Sequence, residues 1–230
     1  MRDHTPTDRP DTDRGQVGIE TLIIFIAMIL VAAVAAGVLI NTAGFLQNKA
    51  STTSEDSESQ VSNQVIVISA TGNVNASGPN EDYDNTVNTT ELSVMKSPGA
   101  DEIDLSKATI EWVGPDGTTT LIYNDSGDNE AWLNSTDGVE FGVSAIKDDG
   151  NSVPVLTSKE DRFTISINHT GSEGIDDSHP DTPNSTVLQP LEGGEEVTLR
   201  LVTQAGSSYV YIANVPESLS AKNSGEAVEL

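Results

Sequence analysis

From Leu22 to Ile40 the chain reads LIIFIAMILVAAVAAGVLI, 19 consecutive residues without a charge or a strongly polar group, and the uncharged stretch extends from Thr21 to Asn48. Nothing else in the sequence limits the fold so severely. A run of this length crosses the hydrocarbon core of a bilayer as one helix. If helical from Gln16 to about residue 60, the segment is roughly 65 Å long, about twice a bilayer thickness, so part of it must project. The projecting part, STTSEDSESQVSNQ, is polar and does not face lipid. Small residues recur along the apolar part at Ala32, Ala33, Ala36, Gly37, Ala43 and Gly44. That pattern lets helix backbones approach closely, and Ala and Gly are also simply tolerated in membrane helices.

Two ordinary explanations compete for such a segment. A cleaved secretory signal has an apolar stretch of only about 7 to 15 residues followed by a small-x-small site. Here the run is longer, and the small-residue candidates from Ala33 to Ala36 lie inside it. A signal anchor is the second. Arg2, Arg9 and Arg14 precede the span and acids follow it, which places the N-terminus inside and the bulk of the chain outside. Four Asp lie among those Arg, so the leader is less basic than either class.

Beyond residue 60 the pattern changes from a helical apolar run to short alternating runs separated by Gly, Pro, Asn and Asp, a β signature. In FTISIN, Phe163, Ile165 and Ile167 fall on one face. In VTLRLVT, Val197, Leu199 and Leu201 fall on one face and Thr198, Arg200 and Val202 on the other. ATIEWV and TTTLIY flank Gly114-Pro115-Asp116-Gly117, and VTLRLVT and SYVYIA flank a turn around Gln204 to Ser207, giving two hairpins. QVIVIS, ELSV and EFGVSAI supply further strands. About eight short strands after one long helix predict an α+β chain, with a hydrophobic α-helix followed by an antiparallel immunoglobulin-like β-sandwich. Trp112 and Trp132 read as core or hairpin residues, because the few aromatics form no cluster.

Charge narrows the function classes. The 230 residues carry 36 Asp and Glu against 11 Lys and Arg, a net charge of −25. Such a surface repels nucleic acid phosphates and anionic headgroups, so no nucleic-acid partner is expected. The acids are spread from Glu55 to Glu229 and not gathered in a tail. That distribution fits adaptation to high salt, where a Debye length of roughly 3 Å at about 1 M screens self-repulsion. There is no cysteine, which excludes disulfides and thiolate metal sites.

The letters at the start of the apolar helix carry a resemblance. Asp13-Arg14-Gly15-Gln16-Val17-Gly18-Ile19 sets a charge-Gly step directly before it, and this resembles the class III signal peptide of archaeal flagellins, members of the type IV pilin-like superfamily. The likeness runs through GQVGIETLIIFIAMILVAAVAAGVLINTAGFLQ and QVSNQVIVISATGNV, then returns at ATIEWVGPDGTTTLIY and VPESL. Together with the acidity it points to a haloarchaeal flagellin. The resemblance implies that a membrane prepilin peptidase cuts between Gly15 and Gln16. Residues 1–15 are then a leader, 16–60 an assembly helix and 61–230 the outer domain.

It further implies a subunit that sits in the membrane before assembly. The subunit then polymerises with identical or paralogous flagellins into an extracellular filament for swimming. Glu20, Ala33, Gly37 and Gly44 are the assembly candidates. Glu20 stands where flagellins commonly carry Gly, and it looks like the fifth mature residue of type IV pilins. The alternatives are an adhesive pilin or a membrane-anchored surface-binding module.

Other sites are few. N-x-S/T sequons fall at Asn75, Asn88, Asn124, Asn134, Asn168 and Asn184. Composition alone accounts for roughly three, so the excess only points toward N-glycan, with Asn88 and Asn168 fitting best and Asn124, followed by Asp125, fitting worst. Acid-rich loops such as GPNEDYDN lack calcium-loop spacing, and no metal ligand or cofactor is expected. Of the three histidines, His4 lies in the leader and His169 and His179 read as polar-loop residues, and no catalytic motif is present, so the chain does not read as an enzyme.

Overall fold

A computed structural model of the chain describes residues 12–75, 85–124, 140–169, 188–219, 222 and 225–230. It divides into two compact units, residues 1–55 and 56–230.

The first unit is the greater part of one helix, α1, Thr12–Ser62. Leu, Ile, Met and Ala dominate its apolar stretch, and it contains no proline, so nothing interrupts the hydrogen-bond ladder. At 51 residues it extends about 75 Å. Where hydroxyls occur they turn back on the helix: Thr21 Oγ1 donates to the carbonyls of Val17 and Gly18 at 3.1 and 3.0 Å, and Thr42 Oγ1 to that of Val38 at 2.9 Å. Both hydroxyls can therefore enter a dry environment without losing a partner.

The second unit is a β head with eleven strands among its described residues. They are β1 Val65–Asn75, β2 Thr86–Lys96, β3 Ile103–Asp104, β4 Thr109–Gly114, β5 Gly117–Tyr123, β6 Glu140–Lys147, β7 Val155–Leu156, β8 Arg162–Asn168, β9 Glu196–Val202, β10 Ser208–Asn214 and β11 Ala227–Glu229. Nine form one hydrogen-bonded sheet in the order β10-β9-β4-β5-β6-β8-β2-β1-β11, and β3 pairs with β7.

All eight runs read as strands from the sequence are strands, and both hairpins form at the turns expected of them. Gly206, at φ 81° in the β9–β10 turn, occupies backbone space that other residues rarely adopt. The short strands β3, β7 and β11 were not read, since two or three residues make no period.

The expected two-layered packing takes the form of one sheet curled on itself. The first strand in the order, β10, comes against β1, the eighth. There Tyr211 Oη donates to the Leu230 carbonyl at 2.8 Å. Pairing is antiparallel throughout except for β5 and β6, which run parallel. A parallel pair needs a crossover of about a dozen residues or more, and residues 124–139 separate these two strands.

Period-two patterning sorts each strand across the sheet. Phe163, Ile165 and Ile167 are fully buried, as are Leu92, Ile110, Leu121, Phe141 and Val197, with Trp112, Leu199 and Leu201 nearly so. Each large apolar side chain removed from water contributes about 1.5–3 kcal/mol. Trp112 is thus a core residue, while Trp132 lies outside the described residues. Gly72 in β1 is required by proximity, because a Cβ there would stand 2.6 Å from Val87 Cγ1.

Candidate assembly site

Along α1 no side chain from Val17 to Ala50 is buried. Large apolar residues between Val17 and Leu46 are 49% to 71% exposed. The apolar residues are not confined to a stripe: from Leu22 to Ile40 every face of the helix is apolar. At about 25 cal/mol per Å², such a surface is incompatible with water and must be covered by lipid or by other helices.

Ala33, Gly37 and Gly44 all lie on this surface, and a Cβ built at Gly37 or Gly44 meets nothing within 4 Å. Among the described residues of a single chain nothing therefore fills the space left by the absent side chains. Glu20 is exposed and is the only charge between Arg14 and Lys49. Gly15 and Gln16 fall within α1, their side chains outside the described residues.

The last helical turns belong to the head, which grips them through a polar collar. The carbonyl of Asn63, orphaned at the helix end, accepts from the Ser207 hydroxyl, and Thr203 Oγ1 lies 3.3 Å from the same carbonyl. Those two hydroxyls are buried and share a 2.6 Å hydrogen bond. Asn63 Oδ1 accepts from the Asp101 amide at 2.8 Å, the Gln64 carbonyl from the Ser97 amide at 2.8 Å, and Gln60 Nε2 donates to the Gly206 carbonyl at 3.4 Å. The polar letters of Gln204 to Ser207 read only as a turn, and nothing local in them marks a partner 140 residues away.

The sequons separate by environment. Asn88 in β2 is half-buried, and its Oδ1 accepts from Thr86 Oγ1 at 3.1 Å. Asn168, at the end of β8, is only 8% exposed. Asn124 donates its amide nitrogen, the atom a glycan would occupy, to Glu140 Oε2 at 2.6 Å. Asn75 ends β1 with its side chain outside the described residues, and Asn134 and Asn184 lie outside them altogether.

His169 reverses its sequence reading. Far from standing in a polar loop, it is fully buried with its ring 4.6 Å from that of Trp112, and its Nε2 is 2.8 Å from Thr90 Oγ1. Nδ1 has no hydrogen-bond partner among the described residues. Burial pushes its pKa down from 6.5 to about 3, so the ring is neutral in the folded head. Its neighbours Asn168 and Thr170 hid this, since polar letters on both sides of a strand end look like a loop. His4 and His179 lie outside the described residues. Among the described residues no cluster of His, Cys, Asp or Glu is arranged to hold a metal.

A long helix, apolar on all sides and in need of cover, followed by a curled β head, defines a helix-borne subunit of the kind that is complete only in a membrane or an assembly. A family model for archaeal-type flagellin matches residues 15–212. The chain is 46% identical to flagellin B2 of Halobacterium salinarum over 213 residues, which cover 93% of this chain and 94% of that one. Flagellin A2 of the same organism is 48% identical over 213 residues, with the same coverage. Flagellin A2 of Haloferax volcanii is 41% identical over 226 residues, covering 96% and 97%.

Among solved structures, the archaeal flagellum of Methanospirillum hungatei superposes with a TM-score of 0.59 at 18% identity, over 90% of this chain and 97% of that one. The crystal structure of archaeal flagellin FlaB1 from Methanocaldococcus jannaschii gives 0.51 at 16%, over 72% and 94%. At such identities the two structures speak for the fold alone. The chain belongs to the archaeal-type flagellin family.

Proposed function

We propose that this chain is a structural subunit of an archaeal flagellum, polymerising through α1 into an extracellular filament that serves swimming. The observation that carries the reading is the apolar surface of α1, exposed on every side and lined with Ala33, Gly37 and Gly44. Lipid covers it before assembly and copies of the same or paralogous flagellins cover it afterward. A membrane prepilin peptidase cuts between Gly15 and Gln16, so that residues 16–60 form the filament core and 61–230 the outer layer. The subunit's contribution is mechanical, and no catalytic step is assigned to it.

N-glycan is proposed at Asn88 in preference to Asn168, whose burial hinders an acceptor, and Asn124, whose amide nitrogen is engaged by Glu140. The membership of the family and the flagellins of haloarchaea among its relatives support the reading. A strain lacking this chain, and carrying no paralogue that replaces it, is expected to lose both swimming and surface filaments, and a plasmid copy should restore them. Normal swimming on normal filaments in the deleted strain would overturn the proposal, and lost surface attachment with intact swimming would assign the chain to an adhesive pilus.

A further inference from the structure

Strands β10, β9, β4 and β5 turn alternate residues into the core and present the others outward. On that outer face Val113, Ile122, Val210 and Ile212 are 42%, 51%, 53% and 50% exposed. The register spreads them over three neighbouring rows: Ile212 lies opposite Thr198, and Thr198 opposite Val113; Val210 lies opposite Arg200, and Arg200 opposite Glu111; and Ile122 lies opposite Thr109. Glu196, at the start of β9, marks the border of the face. Among the described residues the only charges within it are Glu111 and Arg200, and they neutralise one another at 3.5 Å.

Such a face is out of character for this head, in which residues 50–230 hold 31 acids and seven bases. Strand β10 ends the sheet order and comes against β1 on its far side. Its sequence, SYVYIAN, has no charge and no proline, and its pairing with β9 runs without a register shift.

We propose that this face is a contact between heads, and that its occupant is a second copy of this chain. The charge distribution selects the occupant. Two strongly acidic heads held close together can touch at low electrostatic cost only where net charge is absent. Salt screens ion pairs but leaves apolar burial intact, so in concentrated brine a head-to-head contact rests better on Val and Ile than on charge. A helical array joins unlike surfaces of successive subunits, so the face meets a different surface of the neighbouring head, not its own twin. The inference rests on the filament reading above.

The absence of cysteine makes the test clean. Val210→Cys carries the only thiol in the chain and accepts a benzophenone maleimide, which is irradiated in intact filaments. The expected product is an adduct of two copies, with the second peptide from residues 56–230. Asp116→Cys, in the β4–β5 turn, is expected to yield less of it. Filaments that contain the chain but give no head-to-head adduct overturn the inference alone, as does an adduct only to another protein, lipid or glycan. Absence of the chain from filaments overturns the filament reading with it. As a second readout, Val210→Asp combined with Ile212→Asp should raise the salt needed to keep filaments intact by about twofold, with the melting of the head unchanged. An unchanged salt requirement in filaments of that variant contradicts the proposal.

Discussion

His169 is the residue whose chemistry most directly sets the acid stability of the head. Its pKa falls from 6.5 to about 3 on folding, so the unfolded chain binds a proton that the folded one refuses. Stability from this group is whole above about pH 6.5 and drains away as pH falls toward 3, at up to about 1.4 kcal/mol per pH unit. Thermal melts of the full-length protein at pH 7 and pH 4.5 should therefore differ, and His169→Phe, which keeps a ring against Trp112, should narrow that difference. An equal pH dependence in the two proteins would argue against it.

Glu20 poses the converse problem, a charge in an otherwise apolar segment. Burying it alone in a filament core costs several kcal/mol, whereas pairing with the α-amino group that the proposed cleavage would create on Gln16, four residues earlier, comes near break-even. Glu20→Gln should leave processing intact and weaken polymerisation, and normal filaments with a free amine on Gln16 would remove the pairing role.

At the scale of elements, α1 and the eight longer strands were written plainly in the sequence, and the short strands and the collar around Asn63 were not. A 19-residue apolar run admits only one structure, and period-two alternation across Phe163, Ile165 and Ile167 admits one buried face. The collar depends instead on Asn63 meeting Thr203 and Ser207 across the chain, a coincidence of tertiary structure that no local period encodes. Burial of His169 and the parallel pairing of β6 with β5 are hidden for the same reason.

Two substitutions probe these elements. Ser207→Ala removes one of the two hydroxyls on the Asn63 carbonyl and should destabilise the full-length protein by about 1–3 kcal/mol in chemical denaturation. Gly37→Leu keeps α1 apolar, so membrane insertion and processing should persist, but it closes the approach of neighbouring backbones. Cell fractionation with electron microscopy should find the processed subunit in membranes and few or short filaments. Filaments of normal length would show that the small residues are merely tolerated.

The whole molecule joins an apolar helix to a strongly acidic head, and salt acts chiefly on the second. Lowering salt from about 1 M to about 0.1 M lengthens the Debye distance from roughly 3 Å to about 10 Å, so heads repeated along a polymer begin to repel. Filaments should shorten and melt earlier in dilute buffer, as light scattering would record. The central claim, that this chain becomes a filament subunit through its N-terminal helix, is tested most directly by the intact mass of the polypeptide in filaments sheared from swimming cells. The account predicts a chain that begins at Gln16 and retains the whole of α1 beyond it. Filaments without this chain, with the polypeptide from Met1 onward held in the membrane, would contradict it.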